Sequence, residues 1–323
     1  MEETIQSLAA TRNLQVTAGA PLASYTRFGI GGTAAVVAET AHVPSFLQAI
    51  ETARASGMPV VVIGGGTNLI VADQGFPGVV LRFTSDRIAA TGDRVVADAG
   101  AELEALVDCT VERGLSGLQT LARIPGWAGA AVYGNAGAYG HSISETVSQV
   151  TYTDGRQVSA LTNAQCEFRY RESVFKRRKD WIVLSTELLL KEADAGELCS
   201  VAREIKRVRD QKFPPTMKCA GSIFKNLILA ELPGAAAAQA PESVVREGKA
   251  PAAWFLEQVG AKGMVMGGIR VADYHANLVY NAGGGTARDL VALITQLKSR
   301  VRERFGIELE EEVQYVGFEE HLK

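Results

Sequence analysis

One stretch of this 323-residue chain is unusually rich in glycine. The segment IPGWAGAAVYGNAGAYG (124–140) carries five glycines among small residues. In an ordered segment each glycine costs about 0.5–1 kcal/mol relative to alanine, because more backbone entropy is lost on folding. Such a run is therefore expected where the backbone must approach something closely. A bound cofactor meets that condition, and so does a Gly/Ala packing layer between two domains.

A second glycine cluster interrupts an apolar, β-branched run. The segment PVVVIGGGTNLIV (59–71) predicts a strand, a turn and a second strand. Consecutive glycines can present successive backbone N–H groups to an anion such as a pyrophosphate, and Thr67 and Asn68 add side-chain donors. A glycine hairpin without a ligand explains the same letters equally well.

The segment GIGGTA (29–34) matches the looser form of the dinucleotide-binding pattern. A Rossmann loop follows an apolar strand and opens a helix. Here SYTR precedes the glycines and the β-branched pair VV follows them. We therefore favour a tight turn between short strands.

Length and composition limit the class of protein. A single hydrophobic core stops growing near about 250–300 residues, so two or three domains are expected. Lys plus Arg number 33 and Asp plus Glu 36, and the resulting charge of −3 gives no electrostatic case for a nucleic-acid or membrane partner. The N-terminus lacks the apolar stretch of a signal peptide. Scattered thiols without metal-ligand spacing favour a reducing cytosol and no metal; they are Cys109, Cys166, Cys199 and Cys219.

Local signals predict several elements. Asp154-Gly155 between alternating runs indicates a hairpin with a type I′ turn. A basic helix over 196–212 ends at Pro214-Pro215, which is the favoured domain boundary. The Ala-rich segment 232–251 reads as a surface insertion. The clearest helix begins at Thr286 with a capping-box-like start and ends at Gly306.

The segment KCAGSIFKN (218–226) holds two candidate nucleophiles, Cys219 and Ser222. The pattern is not that of a nucleophile elbow, and no histidine has a spacing that suggests a triad. A serine that follows glycine indicates a tight turn, in which the hydroxyl either donates a proton or a hydrogen bond, or caps its own turn.

Charged residues cluster in two further segments. In FRYRESVFK (168–176), an extended strand would place Arg169 and Arg171 on one face, although a solvated basic surface is the plainer explanation. In LEEEVQYVG (309–317), alternation places Glu310 and Glu312 on one face and Glu311 on the other. The glycines of 283–285 open a helix and are best explained as a connecting loop.

Eight segments together resemble the UDP-N-acetylenolpyruvoylglucosamine reductase (UDP-N-acetylmuramate dehydrogenase) family. They occur in the family's order from 25 to 317, and the ordered set is specific although each piece is modest. The segments are YTRFGIGG, VIGGGTNLIV, IPGWAGAAVYGNAGAYG, FRYRESVFK, AGSIFKN, WFLEQVGAKG, HANLVYN and LEEEVQYVG.

This resemblance implies an α+β architecture: a PCMH-type FAD-binding fold of two α/β subdomains with a separate α+β substrate-binding domain. The implied boundaries are 1–86 plus 312–323 for the first FAD-binding subdomain, 87–205 for the second, and 206–311 for the substrate domain. FAD would lie between the first two, bound non-covalently, since no histidine for covalent attachment is evident. NADPH would be the co-substrate and UDP-N-acetylglucosamine enolpyruvate the substrate of a cytoplasmic monomer.

The resemblance also implies roles for individual residues. Arg171 and Glu312 would bind and polarise the substrate carboxylate, and Ser222 would protonate C2 after hydride reaches C3. Asn226 and Lys262 match positions that hold the diphosphate, Lys225 is nearby, and His275 falls where other members use another polar residue. The implied FAD contacts are Gly64, Gly65, Gly66, Thr67, Asn68, Gly126, Gly129 and Gly137.

The chain departs from the family pattern in three places. Trp127 stands where a small hydroxyl residue is usual, which would reshape the flavin pocket. Residues 232–251 are longer than in compact members. The segment from Ser185 to Pro214 has no room for the extra tyrosine loop, so the loop-less subfamily is expected. The alternatives are another flavin oxidoreductase of the same fold and a nucleotide-sugar-binding protein without redox activity.

Overall fold

The computed structural model describes residues 1–232 and 234–318 and divides into two compact units. Unit 1 comprises Met1–Ala20, Ala34–Gly66 and Pro77–Pro215; unit 2 comprises Pro21–Thr33, Thr67–Phe76 and the chain from Thr216 onward. Each unit buries a hydrophobic cluster of its own. The two units divide the chain differently from the three domains predicted from the sequence. Those three-domain boundaries stay a prediction.

Helices are distributed along the whole described chain. The 3₁₀ turns cover Leu22–Tyr25, Gln119–Leu121, Ile143–Glu145, Ala164–Cys166, Leu229–Glu231 and Glu242–Val244. The α-helices are α1 Glu2–Ala9, α2 Val43–Ala55, α3 Leu103–Glu112, α4 Ala128–Tyr133, α5 Val174–Arg177, α6 Ala195–Lys212, α7 Gly234–Ala237, α8 Ala252–Gln258 and α9 Ala287–Phe305.

Strands are mostly short. In chain order they are β1 Gln15–Ala18, β2 Ala34–Thr40, β3 Val60–Val62, β4 Leu69–Val71, β5 Phe76–Phe83, β6 Ile88–Thr91, β7 Arg94–Asp98, β8 Leu115–Ser116, β9 Gly137–Ala138, β10 His141–Ser142, β11 Val147–Thr153, β12 Val158–Thr162, β13 Ile182–Leu189, β14 Lys191–Glu192, β15 Cys219–Ser222, β16 Leu227–Ile228, β17 Lys249–Ala250, β18 Val265–Met266, β19 Ile269–Ala272, β20 His275–Asn281 and β21 Gln314–Val316.

Unit 1 contains two main sheets. The first has the strand order β1-β2-β5-β3, with β3 and β5 parallel. The second has the order β12-β11-β13-β7-β6 and is antiparallel throughout. Helix α4 packs on β13 and β7 of the second sheet. Strands β9 and β10 form a separate two-stranded sheet, and so do β8 and β14.

Unit 2 is built on the antiparallel sheet β15-β20-β19-β18, with α8 and α9 packed against it. One side of α9 is buried because its apolar residues recur every three to four positions. Strand β21 pairs in parallel with β4, which reaches unit 2 from far earlier in the chain. This pairing explains why residues 67–76 belong to the C-terminal unit.

The predicted ends of the long helices are confirmed. Thr286 and Asp289 form a complete capping box at the start of α9, and Gly306 ends it with φ 67°. Helix α6 begins after Asp194, whose carboxylate accepts a hydrogen bond from the Glu197 N–H, and unit 1 ends at Pro215. In the segment 232–251, residues 241–243 are exposed, whereas Ala240 is buried in the core of unit 2.

The hairpin predicted at Asp154-Gly155 exists, but the predicted type I′ turn is wrong. Strands β11 and β12 are joined by four residues, and only Gly155 of the two predicted central residues has a positive φ. The Asp154 carboxylate accepts hydrogen bonds from the Arg156 and Gln157 N–H groups, so it closes a longer loop. Both central residues of the β9–β10 connection, Tyr139 and Gly140, have positive φ, as a type I′ turn requires.

In the described part of the chain, no helix is both long and apolar enough to cross a membrane. No group of three or more His, Cys, Asp or Glu side chains among the described residues has the arrangement of a metal site.

Candidate active site

Ser222 is the last residue of β15, so the tight turn predicted around it is wrong. Cys219 pairs with Tyr280 and Ser222 with Leu278, so three steps along β15 oppose two along β20. The extra residue makes a β-bulge, and Gly221 adopts the left-handed conformation there with φ 81°. A bulge re-aims the side chain that follows it, which accounts for glycine directly before the serine. Cys219 is fully buried in the same strand.

Glu312 lies beside the strand that carries Ser222. The Glu312 N–H donates to the Ile223 carbonyl at 2.7 Å, and the Lys225 N–H donates to the Glu310 carbonyl at 2.9 Å. Residues 310–312 therefore run antiparallel to residues 223–225. Unit 2 thus brings together two of the three predicted catalytic residues.

The carboxylates flanking Glu312 are paired with lysines. Glu310 contacts the Lys225 ammonium, and Glu311 contacts the Lys298 ammonium at 2.8 Å. Burial, reinforced by the Glu311 carboxylate, raises the pKa of the Tyr315 hydroxyl and keeps it protonated. The alternation predicted from the sequence left open which glutamate serves the site, and the structure places Glu310 on Lys225 and Glu311 on Lys298.

Asn277 holds the main chain next to Ser222, a role that the sequence did not single out. Its side chain accepts from the Phe224 N–H and donates to the Phe224 carbonyl, both at 2.9 Å. Its own carbonyl accepts from the Ile223 N–H at 3.1 Å. An amide in the apolar run HANLVYN was the available signal, because a buried amide needs partners.

Asn68 bonds to the Glu312 segment. Its Nδ2 donates to the Glu312 carbonyl at 2.9 Å, and its carbonyl accepts from the Gln314 N–H at 2.9 Å. The sequence predicted Asn68 as an FAD contact, which remains a prediction. The structure gives it a second task, which is to fix the backbone of Glu312.

Arg171 lies in unit 1 on a tight turn and not in the extended strand that was considered for 169–171. Arg169 and Glu172 exchange backbone hydrogen bonds of 3.0 and 3.1 Å, which leaves Tyr170 and Arg171 at the tip. Arg171 has φ 55°, a left-handed conformation that side-chain-bearing residues rarely adopt. Its Nη2 donates to the Gly137 carbonyl at 2.8 Å. The turn brings Arg171 to the glycine-rich segment instead of leaving it on an exposed basic face.

The glycine loop 64–66 has the properties of an anion nest. Within the described residues, the N–H groups of Gly64, Gly65 and Gly66 have no protein acceptor. Gly66 is left-handed with φ 67°, and turns of this kind point successive N–H groups into one concavity. These glycines therefore fit the phosphates of a dinucleotide such as FAD.

Trp127 covers part of this loop. A Cβ on Gly65 would lie 3.2 Å from the Trp127 indole, so glycine is needed for the close approach. The Arg82 guanidinium lies 4.7 Å from the centre of the indole ring and pairs with Glu39. The tryptophan that departs from the family pattern is thus packed against the predicted phosphate-binding loop. Its effect on the flavin pocket stays a prediction.

The glycines of 124–140 have different structural reasons. Gly126 has φ 117°, and its carbonyl accepts from the Leu103 N–H at 2.8 Å. A Cβ on Gly129 would lie 2.6 Å from the Ala99 Cβ, and one on Gly137 would lie 2.5 Å from the His141 carbonyl oxygen. Packing within unit 1 therefore accounts for Gly129 and Gly137, and their contact with FAD remains a prediction.

The four predicted substrate-binding residues all belong to unit 2. Lys225 is buried, and its ammonium group forms an ion pair with the Glu310 carboxylate. Asn226 Oδ1 accepts a hydrogen bond from the Ala252 N–H at 3.4 Å. The half-exposed Lys262 lies 2.8 Å from the Glu257 carboxylate, and His275 Nδ1 accepts from the Asn277 N–H at 3.2 Å. Their role in diphosphate binding is a proposal.

Two other glycine groups have structural explanations. A Cβ on Gly32 would lie 2.3 Å from the Asp73 carbonyl oxygen, and β2 rather than a helix follows, which confirms that GIGGTA is not a Rossmann loop. The N–H groups of Gly283 and Gly285 both donate to Asn281 Oδ1, at 3.0 and 3.1 Å. These donors are already satisfied, as expected for a connecting loop.

Comparison with known proteins identifies both parts of the chain. Residues 34–156 match the model of an FAD binding domain, and residues 211–316 match that of the UDP-N-acetylenolpyruvoylglucosamine reductase C-terminal domain. The chain is 64% identical over 310 residues to the UDP-N-acetylenolpyruvoylglucosamine reductase of Solibacter usitatus, covering 96% of this chain and 99% of that protein. It is 33% identical over 321 residues to that of Bacillus subtilis, covering 98% and 99%.

A solved structure agrees with these relatives. The crystal structure of UDP-N-acetylenolpyruvylglucosamine reductase from Thermus caldophilus matches with a TM-score of 0.72 and 28% identity, covering 94% of this chain and 98% of that one. The expected α+β architecture, a PCMH-type FAD-binding fold with a C-terminal domain, is confirmed. FAD as the cofactor of an oxidoreductase is confirmed as well. The chain belongs to the UDP-N-acetylenolpyruvoylglucosamine reductase family.

Proposed function

We propose that this protein catalyses the NADPH-dependent reduction of UDP-N-acetylglucosamine enolpyruvate to UDP-N-acetylmuramate, a step of peptidoglycan precursor synthesis. The observation that carries the proposal is the full-length relationship to reductases of this name, together with a serine on a β-bulge beside Glu312. We further propose a cytoplasmic monomer that acts without a nucleic-acid or membrane partner.

The first requirement of this reaction is to hold FAD. Gly64, Gly65 and Gly66 would bind its pyrophosphate through N–H groups that have no acceptor among the described residues, with Thr67, Asn68 and the segment around Gly126 adding contacts. FAD bound there would supply the redox chemistry that links oxidation of NADPH to reduction of the enolpyruvyl group.

The second requirement is to stabilise charge on the substrate. Hydride addition at C3 moves the C2–C3 π electrons toward C2 and the attached carboxylate, which becomes enolate-like. The Arg171 guanidinium matches a carboxylate in shape and charge. Glu312 would help to bind and polarise the same group. Preorganised donors aimed at developing charge usually make the largest single contribution to catalysis.

The third requirement is a proton for C2. A hydroxyl both donates and accepts, so Ser222 can release its proton to carbon and be reprotonated from solvent. The bulge at Gly221, the Asn277 amide and the Glu312 N–H fix the main chain around this serine. Lys225, Asn226, Lys262 and His275 would hold the diphosphate of the nucleotide sugar in the proposed complex.

The serine can be tested by separating the two half-reactions. Ser222→Ala is expected to leave NADPH reduction of the flavin within about twofold of wild type and to slow flavin reoxidation by substrate by on the order of 10²–10⁴-fold, because proton donation contributes about that much. Both rates are read from flavin absorbance in anaerobic stopped flow. Loss of the first half-reaction alone would contradict the proton-donor role.

A matched control lies in the same strand. Cys219 is fully buried three residues before Ser222, and Cys219→Ala is expected to leave both half-reactions near wild type.

The broader proposal is tested by the colour of the purified protein. A yellow protein that NADPH bleaches and the UDP substrate re-colours supports it, whereas a colourless protein that takes up no FAD would overturn it.

A further inference from the structure

The turn that carries Arg171 is held in an unfavourable backbone conformation. Arg171 has φ 55°, where the Cβ of an L-residue crowds the following carbonyl. The two backbone hydrogen bonds between Arg169 and Glu172 close the turn without selecting this conformation for its tip. Such conformations persist when surrounding groups over-determine them, so the contacts around the turn decide where the guanidinium lies.

Two side chains outside the turn tip bind its carbonyl groups. Asn135 Nδ2 donates to the Arg169 carbonyl at 2.8 Å, and Lys176 Nζ donates to the Arg171 carbonyl at 2.6 Å. Arg171 adds its own hydrogen bond to the Gly137 carbonyl, two residues after Asn135. The Arg171 guanidinium and the Arg169 carbonyl are therefore tied to the segment that begins at the end of α4, and the Arg171 carbonyl is tied to Lys176 of α5.

Asn135 is itself specified by its surroundings. It is 5% exposed, and its φ of 43° follows the end of α4, where asparagine is among the few side chains that tolerate a left-handed conformation. Its Oδ1 accepts from the Ser144 N–H at 3.3 Å while Nδ2 binds Arg169. Both ends of the amide are used, so neither aspartate nor glycine can replace it fully.

We propose that Asn135 and Lys176 are positioning residues that set the orientation of Arg171 toward the substrate carboxylate. The inference rests on the proposed function, in which Arg171 binds that carboxylate. Asn135 would act through the Arg169 carbonyl and Lys176 through the Arg171 carbonyl. Neither residue needs to touch substrate or cofactor for this role.

The main test is Asn135→Asp in the full-length holoenzyme. Aspartate keeps the acceptor for Ser144 and places an oxygen against the Arg169 carbonyl, so the turn loses its anchor. Flavin reoxidation by substrate is expected to slow by on the order of 10–100-fold, as for an ångström-scale misplacement of a catalytic group, with flavin reduction by NADPH within about twofold. A variant with normal rates in both half-reactions would overturn the inference.

Asn163→Asp is the matched control. Asn163 Nδ2 also donates to backbone carbonyls, those of Ser144 at 2.7 Å and Val147 at 2.8 Å. Neither acceptor belongs to the Arg171 turn, and the shared neighbour Ser144 binds Asn135 through its N–H and not through its carbonyl. We expect Asn163→Asp to lower the melting temperature without a selective defect in the second half-reaction. A selective defect of the same size there would mean that general destabilisation explains the result.

A double variant separates this inference from the proposed role of Arg171. If Asn135 acts through Arg171, adding Asn135→Asp to Arg171→Ala should not slow the second half-reaction further. Additive losses would overturn the positioning role while leaving the role of Arg171 intact. An unimpaired Arg171→Ala would instead overturn that part of the proposed function.

Two further variants keep the test decisive if Asn135→Asp fails to fold. Asn135→Gly suits the left-handed backbone and removes both amide hydrogen bonds, and Lys176→Met removes the donor to the Arg171 carbonyl while keeping an unbranched apolar side chain. Each should weaken the second half-reaction selectively. Wild-type behaviour of both would overturn the proposal.

Discussion

Left-handed residues with side chains gather around one segment of unit 1. Asn135, Tyr139 and Arg171 have φ values of 43°, 54° and 55°. Each conformation costs about 1–2 kcal/mol for a residue with a Cβ, somewhat less for asparagine. Local propensity gives no signal for an arginine or a tyrosine in this conformation. Side chains outside the turn hydrogen-bond its carbonyl groups, and no local sequence pattern indicates those contacts.

The thiol of Cys166 gives a residue-scale prediction. Its side chain is fully buried, and burial raises its pKa from 9.0 to about 11. The folded state then holds the proton more tightly than the unfolded chain does. This stabilisation is present below pH 9.0 and is lost as the pH rises through about 11. The expected loss is about 2–3 kcal/mol in the free energy of unfolding, measured by urea titration at a series of alkaline pH values.

Two variants check the assignment of this alkaline loss. Cys166→Ala removes the titrating group and should flatten the alkaline fall in stability relative to wild type. Cys109→Ala, at a thiol that is only half-buried, should leave that fall unchanged. An equal alkaline fall in wild type and Cys166→Ala would refute the prediction.

At the scale of elements, the N-terminus of α9 has two sets of acceptors. Thr286 and Asp289 form the capping box, and the Asp73 carboxylate accepts from the Ala287 and Arg288 N–H groups at 2.8 and 2.9 Å. The capping box is visible in the sequence, since its residues are three apart. Asp73 comes from the loop after β4, more than two hundred residues earlier, and no local pattern predicts its role.

Removing these acceptors should destabilise unit 2. Thr286→Ala is expected to lower the free energy of unfolding by about 1 kcal/mol, the usual cost of losing an N-cap side chain. Asp73→Ala should cost about 1–2 kcal/mol, because a carboxylate at a helix N-terminus also interacts with the helix dipole. Urea unfolding followed by circular dichroism measures both.

Thr295 serves as the control on the same helix. It is exposed, and its hydroxyl donates to the Val291 carbonyl at 2.8 Å within the helix. Thr295→Ala should be neutral or slightly stabilising, because alanine has the higher helix propensity. A stability loss at Thr295 equal to that at Asp73 would show that the N-terminal acceptors have no special role.

At the scale of the whole molecule, unit 2 is assembled from three separated stretches of chain. Strand β21 pairs with β4, and α9 is capped by Asp73, so the segment 67–76 completes the C-terminal unit. A fragment that starts at Thr216 would lack both contacts. It would also expose the apolar surface against which Ile70 packs in the core of unit 2.

We therefore expect a fragment of residues 216–323 to be less stable than unit 2 within the full chain. Hydrogen exchange should show weakened protection of β21 and of the first turn of α9 in the fragment. Adding a peptide of residues 67–76 in trans should restore protection, and the same peptide with Asp73→Ala should restore less at α9. A fragment with the protection pattern of the full chain would contradict this prediction.

The ordered motifs were sufficient to identify the family, and that resemblance implied the FAD-binding fold. The periodic helices followed from local spacing and composition. Only the tertiary structure decided how Arg171 is held, that Ser222 lies on a bulge, and that Asn68, Asn135 and Asn277 bind the backbone around the predicted catalytic residues. The physical reason is that a buried amide gains its role from partners far away in the chain. The same letters in an exposed loop would bind water instead.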